Sequence, residues 1–82
     1  MDAEEIRKHL KKQPFVPFRV HLSDDSAYDV PHPDFAWVTR RLVTIGLRPA
    51  QNGIPEQSVF CDPLHITHIE PLSEAERTRR TG

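Results

Sequence analysis

The stretch Pro17-Phe-Arg-Val-His-Leu-Ser-Asp-Asp-Ser-Ala-Tyr-Asp-Val-Pro-His-Pro-Asp-Phe-Ala-Trp-Val38 decides the fold class of this chain. Phe18, Val20 and Leu22 alternate with Arg19, His21 and Ser23, the period-two pattern of a half-buried strand. Asp24-Asp25-Ser26 supplies a turn, because Asp tolerates turn geometry and its side chain hydrogen-bonds the nearby backbone. Ala27 to Val30 follows as a second strand with Tyr28 and Val30 on one face, so the two form a hairpin. Proline cannot donate a ladder hydrogen bond, so Pro31-His32-Pro33-Asp34 predicts a bend or bulge. Phe35 to Arg40 then resumes as a strand that carries the only Trp, Trp37, whose place in the core or on the surface stays open.

Working outward, Asp2 and Glu5 have the spacing of a capping box, and Ala3 to about Lys12 reads as a helix. Glu4 and Glu5 sit in its first turn and Lys8, Lys11 and Lys12 toward its end, which suits the helix dipole. Ala3, Ile6 and Leu10 form its apolar stripe, and Gln13-Pro14 ends it, since the residue before proline is pushed out of the α region. Beyond the opening stretch, Arg40-Arg41 predicts a turn and Leu42 to Leu47 a strand. Arg48 to Gln57 reads as a loop, punctuated by Pro49, Asn52-Gly53 and Pro55. Ser58 to Asp62 is a strand, Pro63-Leu64 a corner, and His65 to Glu70 a last strand. The expected organisation is a single helix-plus-barrel domain over residues 1–71, with a polar, flexible tail over 72–82. The expected core is Ile6, Leu10, Phe18, Val20, Leu22, Tyr28, Val30, Phe35, Val43, Ile45, Phe60, Ile66 and Ile69.

Composition narrows the function classes. The 82 residues carry 11 basic and 12 acidic side chains, a net charge of −1, which argues against attachment to nucleic acid by global charge and leaves a local patch open. Cys61 is the lone cysteine, so no disulfide closes within the chain and no Cys-based zinc site forms. A free thiol, the absence of a long apolar run and an acidic start predict a cytoplasmic protein with no membrane attachment.

The order helix, strand, acidic turn, bent strand, strand, loop, strand, corner, strand resembles the Sm-like barrel, whose bacterial form is the RNA chaperone Hfq. Two pieces carry the resemblance: His32-Pro-Asp-Phe35, where that family bends its second strand, and Leu64-His-Ile-Thr-His-Ile-Glu-Pro71, its corner and final strand. His32-Pro-Asp-Phe35 and Leu64-His-Ile-Thr-His-Ile-Glu70, together with Gln13-Pro-Phe-Val-Pro-Phe-Arg-Val-His-Leu-Ser-Asp24, are similar to a family of small, uncharacterised bacterial proteins. The resemblance implies a mainly β fold with an N-terminal helix and a strongly bent antiparallel sheet closing into an Sm-like or SH3-like barrel. The Hfq RNA site does not carry over. Asp62, Pro63 and Leu64 stand where that family has a Tyr-Lys-His run, and Asp34 stands where it has a glutamine. Sm-like chains assemble by pairing the strands around the last corner, which makes residues 59–69 a candidate edge for a homo-oligomer, with a monomer as the alternative.

Candidate chemistry is sparse. His9, His21, His32, His65 and His68 invite a metal, yet His65 and His68 are three apart and would face opposite sides of a regular strand; surface histidines are the plainer reading. Cys61 beside Asp62 lacks the cation or helix N-terminus that activates a thiolate. Asp24, Asp25, Asp29 and Asp34 lack the glycine and closing glutamate of a calcium loop, and Gly46, Gly53 and Gly82 are too scattered to cradle phosphate. The expectation is therefore no metal, no cofactor, no enzyme activity, and a non-catalytic binding or regulatory module with a protein partner. The alternative is RNA or DNA binding through a Trp and Arg surface. The candidate binding residues are His32, Asp34, Phe35, Trp37, Arg40, Arg41 and Arg48, since guanidinium groups beside an aromatic can hold phosphate and stack a base.

Overall fold

Asp2, Asp24 and Asp62 each place a carboxylate on a backbone N–H two residues on, and these three caps set the main corners of the chain. A computed structural model describes residues 1–52 and 54–72, and for residues 48–50 the backbone alone. Helix α1 spans Ala3–Lys11; Asp2 Oδ1 accepts from the Glu4 N–H at 3.0 Å and the Asp2 carbonyl from Glu5 N–H at 3.1 Å. The Asp2 side chain thus caps α1 through Glu4 N–H, not through the Glu5 N–H that a capping box uses.

Strands β1 (Phe18–Leu22) and β2 (Ala27–Val30) form the expected hairpin, with Phe18 opposite Val30 and Val20 opposite Tyr28. In its turn Asp25 takes φ 71°, and Asp24 accepts from both the N–H and the hydroxyl of Ser26. Those hydrogen bonds hold the Asp24 carboxyl below its usual range. The bend after Val30 is a 3-10 turn, Pro33–Phe35, closed by Phe35 N–H on the His32 carbonyl. Phe35 therefore belongs to the turn, and β3 is only Ala36–Val38.

The expected loop from Arg48 to Gln57 is instead the far end of a long hairpin. Strand β4 runs Val43–Gln51 and β5 Ile54–Cys61, with Ala50 opposite Pro55 and Gln51 opposite Ile54. Asn-Gly is a strong signal for a two-residue hairpin turn, and Asn52 takes φ 55°. Pro49 and Pro55 are tolerated because β3 pairs only with Val43–Ile45, so beyond that point the ribbon is paired on one side among the described residues. A register shift between Leu47 and Ala50 absorbs the irregularity. Gly46 is required here, since a Cβ would run into the Pro55 ring. A second 3-10 turn, Pro63–His65, leads into β6 (Ile66–Pro71).

The strands form two antiparallel three-stranded sheets, β2-β1-β6 and β3-β4-β5, and no ladder joins them into a closed barrel among the described residues. Both inner faces feed one core: Phe18, Val20, Val30 and Ile66 from the first, Ala36, Val43, Ile45 and Cys61 from the second, with Ile6 and Phe35 beside them. Phe60, expected in this core, is 70% exposed. The register explains the correction: Cys61 opposite Val43 and Val59 opposite Ile45 share the inner face, so Phe60 must point outward. Leu10, Leu22, Tyr28 and Ile69 pack only partly buried around the core. Leu72, assigned from sequence to the tail, is buried and donates its N–H to the Pro17 carbonyl at 2.8 Å. Residues 73–82, the rest of the expected tail, lie outside the described residues. No helix is long and apolar enough to cross a membrane among the described residues.

Candidate functional site

The outer face of the second sheet is set by the same alternation that buries Val43 and Ile45. Trp37 on β3 lies opposite Thr44 on β4, and Thr44 opposite Phe60 on β5. This puts two aromatic side chains in one row across the sheet, on the order of 10 Å apart at the backbone. Trp37 is 52% exposed, which resolves its place in favour of the surface. Leu42, just before β4, is also exposed.

Beside this face, β3 and β4 are joined by a tight turn in which Thr39 N–H donates to the Leu42 carbonyl at 2.9 Å. Arg40 and Arg41 occupy its tip and are exposed. Both line a groove of about 660 Å³ shared with Met1, Asp2, Ala3, Asp62, Pro63 and Leu64. The groove joins the start of α1 to the corner before β6, where the Met1 ammonium donates to the carbonyls of Pro63 at 2.9 Å and Ile66 at 3.2 Å. Leu64 is 81% exposed, and Asp62 Oδ1 accepts from the Leu64 N–H at 2.9 Å. Among the described residues Arg40 and Arg41 form no ion pair.

The candidate residues read from sequence thus divide. Trp37 projects from the sheet face, and Arg40 with Arg41 caps its end. His32 and Asp34 are exposed on the 3-10 turn. Phe35 is buried, its ring 5.9 Å from that of His32, so it serves the core and offers no open stacking surface. The side chain of Arg48 lies outside the described residues.

The first sheet carries a polar cluster on its outer face that sequence reasoning did not assemble. Arg19 on β1 lies opposite Asp29 on β2 and Glu70 on β6. Its Nε donates to Asp29 Oδ1 at 2.7 Å and its Nη1 to Glu70 Oε1 at 3.4 Å, and Arg19 is only 6% exposed. His21 Nε2 donates to the same Glu70 oxygen at 2.9 Å and stacks on His68, its cross-strand neighbour, with centroids 4.1 Å apart and planes 9° apart. Thr67 gives its only hydroxyl hydrogen to the His21 carbonyl at 3.1 Å, so the 3.1 Å contact with His68 requires His68 Nδ1–H to donate to Thr67. The hydrogen bond from His21, aided by the charge of Arg19, holds the Glu70 carboxyl below its usual range. The alternation Arg19, His21 in β1 was a visible signal, but pairing β1 with β6 spans most of the chain.

The five histidines do not converge. His21 meets His68, His32 turns to Phe35, His9 packs near Phe18 and His65 lies 3.5 Å from the Ser23 hydroxyl. No group of three metal-ligating side chains comes together among the described residues. Burial, then the negative charge of Asp24, pushes the Cys61 thiol up, the direction opposite to an activated thiolate. No protein-family model matches the chain, and no curated protein or solved structure is significantly similar to it.

Proposed function

We propose that this chain is a small non-catalytic binding module that recognises a protein partner through the outer face of β3-β4-β5. One observation carries the reading: Trp37 and Phe60 stand exposed in a single row, while the core is complete without them. Scattered apolar residues are ordinary on a surface, but aromatics aligned on one face are what protein interfaces use as anchors. The test is site-specific photo-crosslinking with a photoreactive phenylalanine analogue at position 60 and a control at position 5 on α1. A discrete protein adduct from position 60 alone is expected. Adducts equal at both positions, or an adduct to RNA alone, would sink the reading.

A second reading, nucleic-acid binding, draws on Trp37 with Arg40 and Arg41, which form no ion pair among the described residues. Fluorescence anisotropy with short RNAs over a salt series decides it, since phosphate contacts weaken steeply with salt. The finer fold reading, an Sm-like barrel, rests on the order of elements, and the cytoplasmic reading on the free thiol of Cys61 and the acidic start. Self-association along the outer strands β5 and β6 belongs with it, and solution mass by light scattering measures that directly.

A further inference from the structure

We propose that the groove between the Arg40-Arg41 turn, the start of α1 and the Pro63–His65 corner binds a short acidic segment of a partner protein bearing an apolar side chain. The inference rests on the protein-binding reading above and specifies the chemistry of the partner. Two guanidinium groups at the tip of one tight turn face a groove without an ion pair among the described residues. Guanidinium is the side chain best shaped to take a carboxylate through two parallel hydrogen bonds, and an adjacent pair offers two such forks. The remaining lining supplies an apolar wall from Met1, Ala3, Pro63 and the largely exposed Leu64.

The acids in the groove favour a peptide over a nucleic acid. Asp2 and Asp62 line it, and each already accepts a backbone N–H, from Glu4 and Leu64. A polyphosphate strand would bring a charge every nucleotide past both carboxylates. A segment with one or two carboxylates and an apolar neighbour can place its charge at Arg40 and Arg41 and keep clear of the acids. A volume of about 660 Å³ lies within the ~300–1,000 Å³ range of ligand pockets, room for a few side chains of an extended segment.

The probe is a fluorescein-labelled hexapeptide of alternating glutamate and leucine, followed by anisotropy on the full chain at low salt. Binding is expected, and should weaken at least about tenfold in Arg40→Glu with Arg41→Glu, where charge-assisted hydrogen bonds are lost. Replacing the peptide's leucines by serine, or Leu64→Ser in the protein, should weaken it too. The substituted positions are exposed, and an unchanged circular dichroism melt confirms that each variant folds. No binding, binding indifferent to the charge reversal, or oligouridine binding through the same arginines in place of the peptide would overturn the inference. If the peptide fails while the position-60 crosslink persists, the groove assignment falls and the protein-binding reading stands; loss of both removes both.

Discussion

The two sheets present outer faces of opposite character. On β2-β1-β6 the outward face carries a polar cluster that satisfies itself: Arg19 reaches Asp29 and Glu70, and Glu70 also accepts from His21. On β3-β4-β5 the outward row is Trp37, Thr44 and Phe60, exposed and apolar at both ends. A polar face that closes its own hydrogen bonds gains from folding and offers little to a ligand. An apolar face left in water gains only when something covers it. The difference gives the first sheet structural work and is what makes the second the face we propose for recognition.

Removing the hub of the polar face is the largest expected break in this contrast. Arg19→Met leaves Asp29 and Glu70 facing each other across β1 without their cation, and should cost roughly 2–3 kcal/mol. That is less than the ~3–5 kcal/mol of a fully buried pair, because both acids are a third or more exposed. Urea unfolding measures it; a loss under about 0.5 kcal/mol would make the face ordinary surface.

Next, Gly46→Ala on the second sheet drives a methyl group into Pro55 and should cost about 1–3 kcal/mol by overpacking. Pro55→Ala in the same chain should recover most of that loss. Failure of the double variant to recover would mean that the strain lies elsewhere in the β4-β5 ribbon.

A smaller effect follows from acid. Glu70 titrates below its usual value in the folded state, so the unfolded chain binds its proton first as pH falls. Its contribution is complete above the ordinary carboxylate value near 4.5 and is lost as pH drops through the lower folded value. Thermal melts from pH 6 downward should fall less steeply in Glu70→Gln than in the parent chain. Parallel slopes would remove Glu70 from the cluster's energetics.

The smallest effect on stability belongs to the face proposed for binding. Phe60→Thr keeps a good strand former and should leave the free energy of urea unfolding within about 0.5 kcal/mol of the parent. The same change should abolish partner capture in a crosslinking competition. A large loss of stability would place Phe60 in the fold and take the recognition role away from it.

Much of this architecture is legible in local pattern. Alternation from Phe18 to Leu22, the Asp24-Asp25-Ser26 turn and the Ala27–Val30 strand depend on neighbours in sequence, and so does the capped helix from Ala3. The β4-β5 ribbon reads as a loop in sequence because Pro49 and Pro55 weigh as breakers, a weight they lose where no third strand lies alongside them among the described residues. The direction of Phe60 is open for a related reason: period two makes Phe60 and Cys61 opposite in direction, but the local pattern does not say which of the two faces inward.

The candidate site was legible only in its ingredients. Trp37, Arg40 and Arg41 stand out in the sequence, and the turn between β3 and β4 follows from them. Their value depends on what lies beside them: Phe60 from β5, Leu64 from the last corner and the start of α1. The helix, the first hairpin and the alternation of faces follow from sequence alone, because they depend on backbone preference over a few residues. Which faces are paired, covered or left bare depends on long-range packing. Pairing β1 with β6 and β4 with β5 sets the register of distant residues, and register is what turns Arg19 into a buried hub and Phe60 into an exposed ring.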